Sequence, residues 1–165
     1  MLTYAETNCD VVRVLTGQRT LTAGSAALQL MQADTDPGAT YSDNERSVAC
    51  LLKLFGQTLL LPGDMEGESA VDLFRRIGPV DALVSPHHGS RKANTPLIGD
   101  ILKPQYVVVS AKDDDARPHI YSAFADSEQQ YFTSTDGATT IILRKDRPLE
   151  VDTYVKRQTA ETPVK

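Results

Sequence analysis

The 165-residue sequence is poor in cysteine, with only Cys9 and Cys50, whose spacing fits neither a zinc-ligand pattern nor a disulfide framework. Cys50 lies in an apolar run and is expected to be a small buried side chain, so the cysteines leave the redox compartment open. No apolar stretch approaches the roughly 18 residues of a membrane span. The N-terminus also lacks a signal-peptide core, and the sequence therefore predicts a soluble chain.

The composition indicates a single globular domain, because 41% of the residues are hydrophobic and 24% are charged. The formal net charge is −5, so the overall field of the chain repels phosphate. This argues against a protein that passively coats DNA. It does not argue against a metal-dependent hydrolase, because a bound cation inverts the local electrostatics.

The hydrophobic pattern predicts strands first and then alternating strands and helices, which is typical of a layered α/β domain. Strands are expected at 9–15, 26–33, 47–55, 58–61, 82–85, 106–110, 131–132, 138–143 and 149–154, with a turn at 16–18 and a hairpin joining 47–55 to 58–61. Helices are expected at about 66–77, 95–104 and 119–129. Residues 156–165 are expected to form a polar tail after a domain at 1–155.

Three predicted strands are each followed directly by polar residues, at 62–64, 85–90 and 110–115. In layered α/β proteins ligands bind outside the carboxyl ends of the strands, where loops from neighbouring strands meet. We therefore expect these three loops to face one cleft.

His87 and His88 are adjacent in the second of these loops, in a chain that has only three histidines. Imidazole suits zinc and similar divalent metals, and Asp64 in the first loop offers a carboxylate oxygen that also fits such a site. Alternatively, the histidines lie in a surface loop and Asp64 caps the helix that follows it. Local chemistry leaves both interpretations open.

Other polar residues near the histidine pair give weaker signals. Ser90 lacks any sign of an oriented triad, which argues against a serine hydrolase. Arg91 and Lys92 either contact phosphate or lie in a solvated loop. The acidic run 113–115 lacks the spacing of an EF-hand loop, which favours a solvated turn. The sequence does not decide whether His119, at the start of a helix, is a site residue or a surface residue.

Four sequence blocks resemble, in the right order, motifs of the metallo-β-lactamase domain found in ComEC-like competence proteins. They are S-D-N-E-R-S at 42–47, L-L-L-P-G-D-M-E at 59–66, D-A-L-V-S-P-H-H-G-S at 81–90 and D-G-A at 136–138. The resemblance covers residues 42–145. Four blocks in order are much more specific than any one of them.

The resemblance implies an incomplete αββα sandwich of the α/β class with zinc or manganese at one edge. Asp64, His87 and His88 would be metal ligands, and Asp64 and His88 would also be catalytic. The substrate-binding residues would be Asn44, Ser90, Arg91 and His119. The implied reaction is hydrolysis of phosphodiesters in single-stranded DNA during uptake, by a domain that faces outward from a bacterial membrane.

The sequence departs from the family pattern in two ways. The motif H-x-H-x-D-H, which supplies most metal ligands in the family, is absent, and residues 1–33 resemble later strands of the half that carries it. Arg117 also stands where the family usually has the first histidine of G-H-P-H. Three candidate ligands remain, with His119 a marginal fourth, so we expect this chain alone to be weakly active or inactive.

Two further interpretations stay open: a metallo-β-lactamase-fold hydrolase of another substrate, and a non-catalytic interaction module with the same fold. Loss of the principal metal motif favours the second of these. In every case a sandwich without its first strands should expose a sheet edge and apolar faces. We therefore expect self-association or pairing with an N-terminal partner.

Overall fold

The computed structural model describes residues 17–34, 38, 40–113 and 115–155. Predictions for 9–15 and for the tail at 156–165 lie outside these ranges. Among the described residues no helix is long and apolar enough to cross a bilayer. The elements are β1 (Gly17–Ala23), β2 (Ala26–Gln32), β3 (Val48–Leu54), β4 (Gln57–Leu61), α1 (Glu68–Ile77), β5 (Ala82–Val84), a short 3-10 turn (Pro86–Gly89), α2 (Pro96–Leu102), β6 (Tyr106–Val109), α3 (Arg117–Ala123), β7 (Gln129–Phe132), α4 (Thr133–Asp136), β8 (Thr139–Ile142) and β9 (Glu150–Thr153).

The first seven strands form one sheet in the order in which they occur along the chain. β1 to β4 pair antiparallel, and β4 to β7 pair parallel. Each parallel connection carries a helix, as parallel pairing requires a crossover. The mixed sheet with its helices confirms the predicted α/β class.

Helices α1, α2 and α3 cover one face of this sheet and bury its main core. Alternate strand residues point to this face, since side chains alternate across a strand. The buried contacts come from Leu73 and Phe74 of α1, Ile98 and Leu102 of α2, Ile120 of α3, and Leu51, Leu60, Leu83, Val107 and Phe132 of the strands.

The β8–β9 hairpin packs on the opposite face and forms a second core. Leu149 and Val151 are buried there against Ala82 of β5, with partly buried Leu59 and Tyr106 at the margin. The described residues therefore form three layers, helices, large sheet and small sheet, and the small sheet covers only the β4–β7 half of its face.

Two local predictions are wrong. Gly17 and Gln18, predicted to form a turn, begin β1, because they pair with Gln32 and Met31 of β2. The helix predicted at 119–129 begins at Arg117 and ends at Ala123. It ends there because the carbonyl of the next residue, Phe124, accepts hydrogen bonds from the side chains at 127 and 130, and the chain then pairs with β6.

Beside the part of the large sheet that the hairpin covers, the same face of β1, β2, β3 and the end of β4 presents leucines and is here called the leucine face. Cross-strand pairing aligns its residues, and all are partly or fully exposed. Cys50, expected to be buried, is half-buried on this face, where burial raises the pKa of its thiol. Among the described residues β1 pairs only with β2, so the sheet also has an open edge. The leucine face consists of Leu21, Leu28, Leu30, Leu52 and Leu61.

A reciprocal hydrogen-bond pair joins the start of β4 to the start of β5. Asp81 accepts hydrogen bonds from the backbone N–H of Thr58 at 2.7 Å and from its hydroxyl at 2.8 Å. The hydroxyl of Thr58 in turn accepts the backbone N–H of Asp81 at 2.9 Å. Asp81 opens the D-A-L-V block, and its function here is to set the parallel pairing of the two strands that precede the polar loops.

We expect Asp81→Ala to lower the free energy of unfolding by about 2 kcal/mol, because it leaves a part-buried donor without an acceptor. Chemical denaturation would measure this loss. Asp100→Ala is the control, since Asp100 is an exposed carboxylate on α2. Equal stability of the two variants would contradict the structural function of Asp81.

We expect the leucine face to cause self-association, since a large exposed apolar patch is a contact surface. The double substitution Leu21→Thr and Leu28→Thr keeps strand-forming residues at a paired position and should reduce both association and the binding of a hydrophobic dye. Light scattering after size-exclusion chromatography would measure association. Leu97→Thr, at an exposed position on α2, is the control. A compact wild-type monomer that binds no dye would contradict this expectation.

Candidate functional site

The loops after β4, β5 and β6 meet at one edge of the sheet, as their position after parallel strands predicts. The backbone N–H of His87 donates to the carbonyl of Gly63 at 3.0 Å, which joins the first loop to the second. Nδ1 of His88 lies 2.9 Å from the carbonyl oxygen of Ser110, which joins the second loop to the third. The histidine pair is therefore at the centre of the three loops.

Both histidines have left-handed backbone angles, with φ 47° and ψ 51° at His87 and φ 51° and ψ 31° at His88. This conformation costs about 1–2 kcal/mol for each residue with a side chain, so the surroundings must impose it. Gly89 continues the turn at φ 83°. A Cβ atom at Gly89 would lie 2.9 Å from side-chain atoms of Val109 and Ala116, so the position requires glycine.

Asn94 holds the two ends of the histidine loop together. Its amide group donates to the carbonyl of Pro86 at 2.9 Å and to that of Ser90 at 2.8 Å. The hydroxyl of Ser85 donates to the Asn94 side-chain oxygen at 2.8 Å. Asn94 and Ser85 are both buried, so these bonds form without competition from water and fix the loop geometry.

His88 and Asp64 form a pair of potential metal donors. Because Nδ1–H of His88 donates to the Ser110 carbonyl, Nε2 keeps its lone pair. That Nε2 lies 3.7 Å from Oδ1 of Asp64, and the two side chains are 67% and 47% exposed. A metal-ligating histidine typically donates its other ring N–H to a carbonyl or carboxylate in this way.

His87 turns to a different partner, Glu66. Its Nδ1 lies 3.1 Å from Oε2 of Glu66, and the amide of Asn44 donates to Oε1 of Glu66 at 3.3 Å. The hydrogen bond from Asn44, followed by that from His87, lowers the pKa of the Glu66 carboxyl. Asn44, expected at the substrate, therefore lies in this cluster and contacts Glu66.

Ser90, Arg91 and His119 line an open cleft of about 440 Å³ beside both histidines. Lys112, Asp113 and Asp115 of the third loop line the same cleft. His119 donates through Nε2 to the carbonyl of Gly89. Its Nδ1 is buried, and no described residue forms a hydrogen bond with it. His119 therefore supports the histidine loop from the α3 side.

The donors that the fold brings together match the expected metal site only in part. Asp64 and His88 fit two positions of a divalent site, in both atom type and tautomer. Within the described ranges no group of three or more His, Cys, Asp or Glu residues is suited to hold a metal ion. The described residues thus bring together two potential metal donors, Asp64 and His88, while His87 lies with Glu66.

Three contributors were not predicted as site residues. Glu66 lies two positions after Asp64 in the 59–66 block, and that spacing was the available signal. Asn94 gave no local signal, since its partners are backbone carbonyls that the fold brings within reach. The third is the backbone carbonyl of Ser110, at the end of β6. Every residue type has this group, so the sequence could not indicate it.

Comparisons with known proteins assign this chain to no family. No family model matches the sequence, and no curated protein matches it significantly. The chain is similar to the solved structure of CmlA, a diiron beta-hydroxylase from Streptomyces venezuelae, with a TM-score of 0.44 and 21% sequence identity. The match covers 73% of this chain and 30% of that chain, so this chain spans about 30% of the length of the CmlA structure. A likeness this low carries no argument about activity.

We expect Asn94→Ala to cost about 2 kcal/mol or more of folding stability, because the buried hydroxyl of Ser85 loses its acceptor and two carbonyls lose their donor. Thermal unfolding would measure the loss. Asn44→Ala is the control, since it removes an amide on the other side of the site. A variant at Asn94 as stable as the Asn44 variant would show that the loop holds its conformation without this residue.

Proposed function

We propose that this chain is part of a metal-dependent hydrolase domain of the metallo-β-lactamase type. In this proposal Asp64 and His88 supply two ligands of a divalent metal, and further ligands come from beyond the described residues. The observation that carries the proposal is the geometry of His88, whose Nδ1–H donates to the Ser110 carbonyl while its Nε2 lies beside Asp64.

The layer order and the motif positions support this proposal. Helices, large sheet and partial second sheet are three of the layers of an αββα sandwich. The G-D block and the H-H-G-S block both lie at the carboxyl ends of adjacent strands, where such a site belongs. The leucine face is where the remainder of a second sheet would pack.

Bound at this position, zinc or manganese would supply Lewis acidity toward a phosphoryl oxygen. The Asp64 carboxylate and His88 Nε2 would hold it, and the Ser110 carbonyl would keep His88 in the required tautomer. Arg91 and Lys112 give the cleft cationic groups that suit phosphate. Ser90 offers a hydroxyl donor in the same cleft.

The substrate we propose is a phosphodiester of single-stranded DNA, as the ComEC resemblance implies. Asp113 and Asp115 balance Arg91 and Lys112 in the cleft, so a bound divalent metal would have to supply the local positive charge that binding of a polyanion requires. A bacterial, membrane-associated protein whose domain faces outward is the corresponding setting. A partner that carries the N-terminal half of the domain, or a second copy, would complete the site.

Metal binding by the purified chain tests this proposal. We expect isothermal titration with Zn²⁺ or Mn²⁺ to give weak binding, because two protein donors hold a metal poorly in water. Asp64→Asn and His88→Gln should each weaken it by about tenfold or more, equivalent to about 1.4 kcal/mol. Asp100→Asn is the control and should bind as the wild type does.

Three outcomes would count against the proposal. Equal metal binding by the wild type and both site variants would show that neither Asp64 nor His88 is a ligand. Robust cleavage of single-stranded DNA in excess chelator would exclude a metal-dependent mechanism. Absence of any metal binding, even with an N-terminal half supplied, would favour a non-catalytic interaction module, an alternative that the lack of a three-ligand group among the described residues also favours.

A further inference from the structure

The cluster of Glu66, His87 and Asn44 lies beside the proposed metal pair but has no function in it. We infer that Glu66 is a positioning residue: it holds His87 in the tautomer protonated at Nδ1 and leaves the Nε2 lone pair available at the cleft. The tautomer follows from geometry alone, whereas its use in binding or catalysis rests on the proposed function.

The contact between Glu66 and His87 determines where the ring proton lies. Oε2 of Glu66 is 3.1 Å from Nδ1 of His87. A carboxylate offers only acceptors, so an unprotonated Nδ1 would place two lone pairs against each other. The other neighbour of Nδ1, the amide of Asn44, lies at 3.5 Å, the limit of a hydrogen bond. The ring proton on Nδ1 therefore points to Glu66, which is the nearer of the two neighbours.

Asn44 favours the ionised form of the Glu66 carboxyl, which offers only acceptors, because its hydrogen bond lowers the pKa of that group. Its amide donates to Oε1 at 3.3 Å, so each carboxylate oxygen has its own donor. A tight turn positions Asn44: Glu45 accepts from the backbone and hydroxyl of Ser42 at 2.8 and 2.9 Å, and the N–H of Ser47 donates to the Asn44 carbonyl at 3.1 Å. The S-D-N-E-R-S block thus forms the support for Glu66.

The backbone at His87 is fixed independently of Glu66. It is left-handed, and its N–H is bound to the Gly63 carbonyl. The His87 side chain is 33% exposed and that of Glu66 is 17% exposed, so the contact is largely shielded from water while the ring still reaches the cleft. If the ring rotated so that water replaced Glu66 as the partner of Nδ1, this shielded hydrogen bond would be lost.

The consequence is that the adjacent histidines share one tautomer through different acceptors. The Glu66 carboxylate holds Nδ1–H of His87, and the Ser110 carbonyl holds Nδ1–H of His88. Free histidine in water prefers the opposite tautomer, with the proton on Nε2. Both rings can therefore offer Nε2 to a proton donor or a Lewis acid, as metal-binding histidines do when a carbonyl or carboxylate accepts their other ring N–H.

Long-range ¹H–¹⁵N spectra of the metal-free protein, recorded well above the ordinary pKa of histidine, test this inference. We expect wild-type His87 to be protonated at Nδ1. Glu66→Met keeps the shape but removes the acceptor, so His87 should shift toward the Nε2–H tautomer. Glu66→Gln retains an oxygen acceptor and should restore much of the wild-type signal. Glu66→Ala is the second variant without an acceptor, with the same expectation as Glu66→Met.

Two controls separate a local from a general effect. Glu68→Met removes a nearby exposed carboxylate at the start of α1 and should leave His87 unchanged. The His88 signal should stay constant in every variant, because its acceptor is a backbone carbonyl. An Nε2–H tautomer in the wild type, or the same tautomer in the wild type and Glu66→Met, would overturn the inference.

The result is independent of the metal proposal, because no metal is present in these spectra. A confirmed tautomer with no zinc or manganese binding would reject only the proposed function. Metal binding through Asp64 and His88 with an unchanged His87 tautomer in Glu66→Met would reject only the positioning by Glu66.

Discussion

The left-handed backbone of His87 and His88 is the constraint on which the rest of the site depends. Two such residues in succession are unfavourable by about 1–2 kcal/mol each, and they persist because three separate contacts fix the loop. The carbonyl of Gly63 binds its beginning, the buried Asn94 joins its two ends, and His119 binds the carbonyl of Gly89. The conformation directs the two imidazoles to different partners.

The sheet provides the frame for these contacts. Parallel pairing of β4, β5 and β6 brings three polar loops to one edge, and the Thr58–Asp81 pair sets the register at the opposite edge. The helices bury the main core on one face, while the hairpin covers only the β4–β7 half of the other. Among the described residues the leucine face is not covered and only two of the expected ligands lie together, and a partner of the kind proposed above would account for both.

Sequence patterns predicted the strands and helices with strong periodicity. The hairpin of β3 and β4 and the helix ended by Gly78 lie where expected. Errors occurred where tertiary pairing determines the structure: Gly17 joins a strand because β2 is beside it, and α3 ends early because the chain returns to pair with β6. Local propensity could predict neither the strand at Gly17 nor the early end of α3, because both depend on pairing with residues distant in sequence.

The sequence by itself determined the α/β class, the three polar loops and the candidates Asp64, His87 and His88, because each depends on residue type and short-range spacing. Only the tertiary structure decided which of them meet. It placed His88 beside Asp64 and His87 beside Glu66, and it supplied the Ser110 carbonyl and the Asn94 side chain that hold them. Those partners are backbone groups and buried amides brought together by strand pairing, and such contacts have no sequence signature.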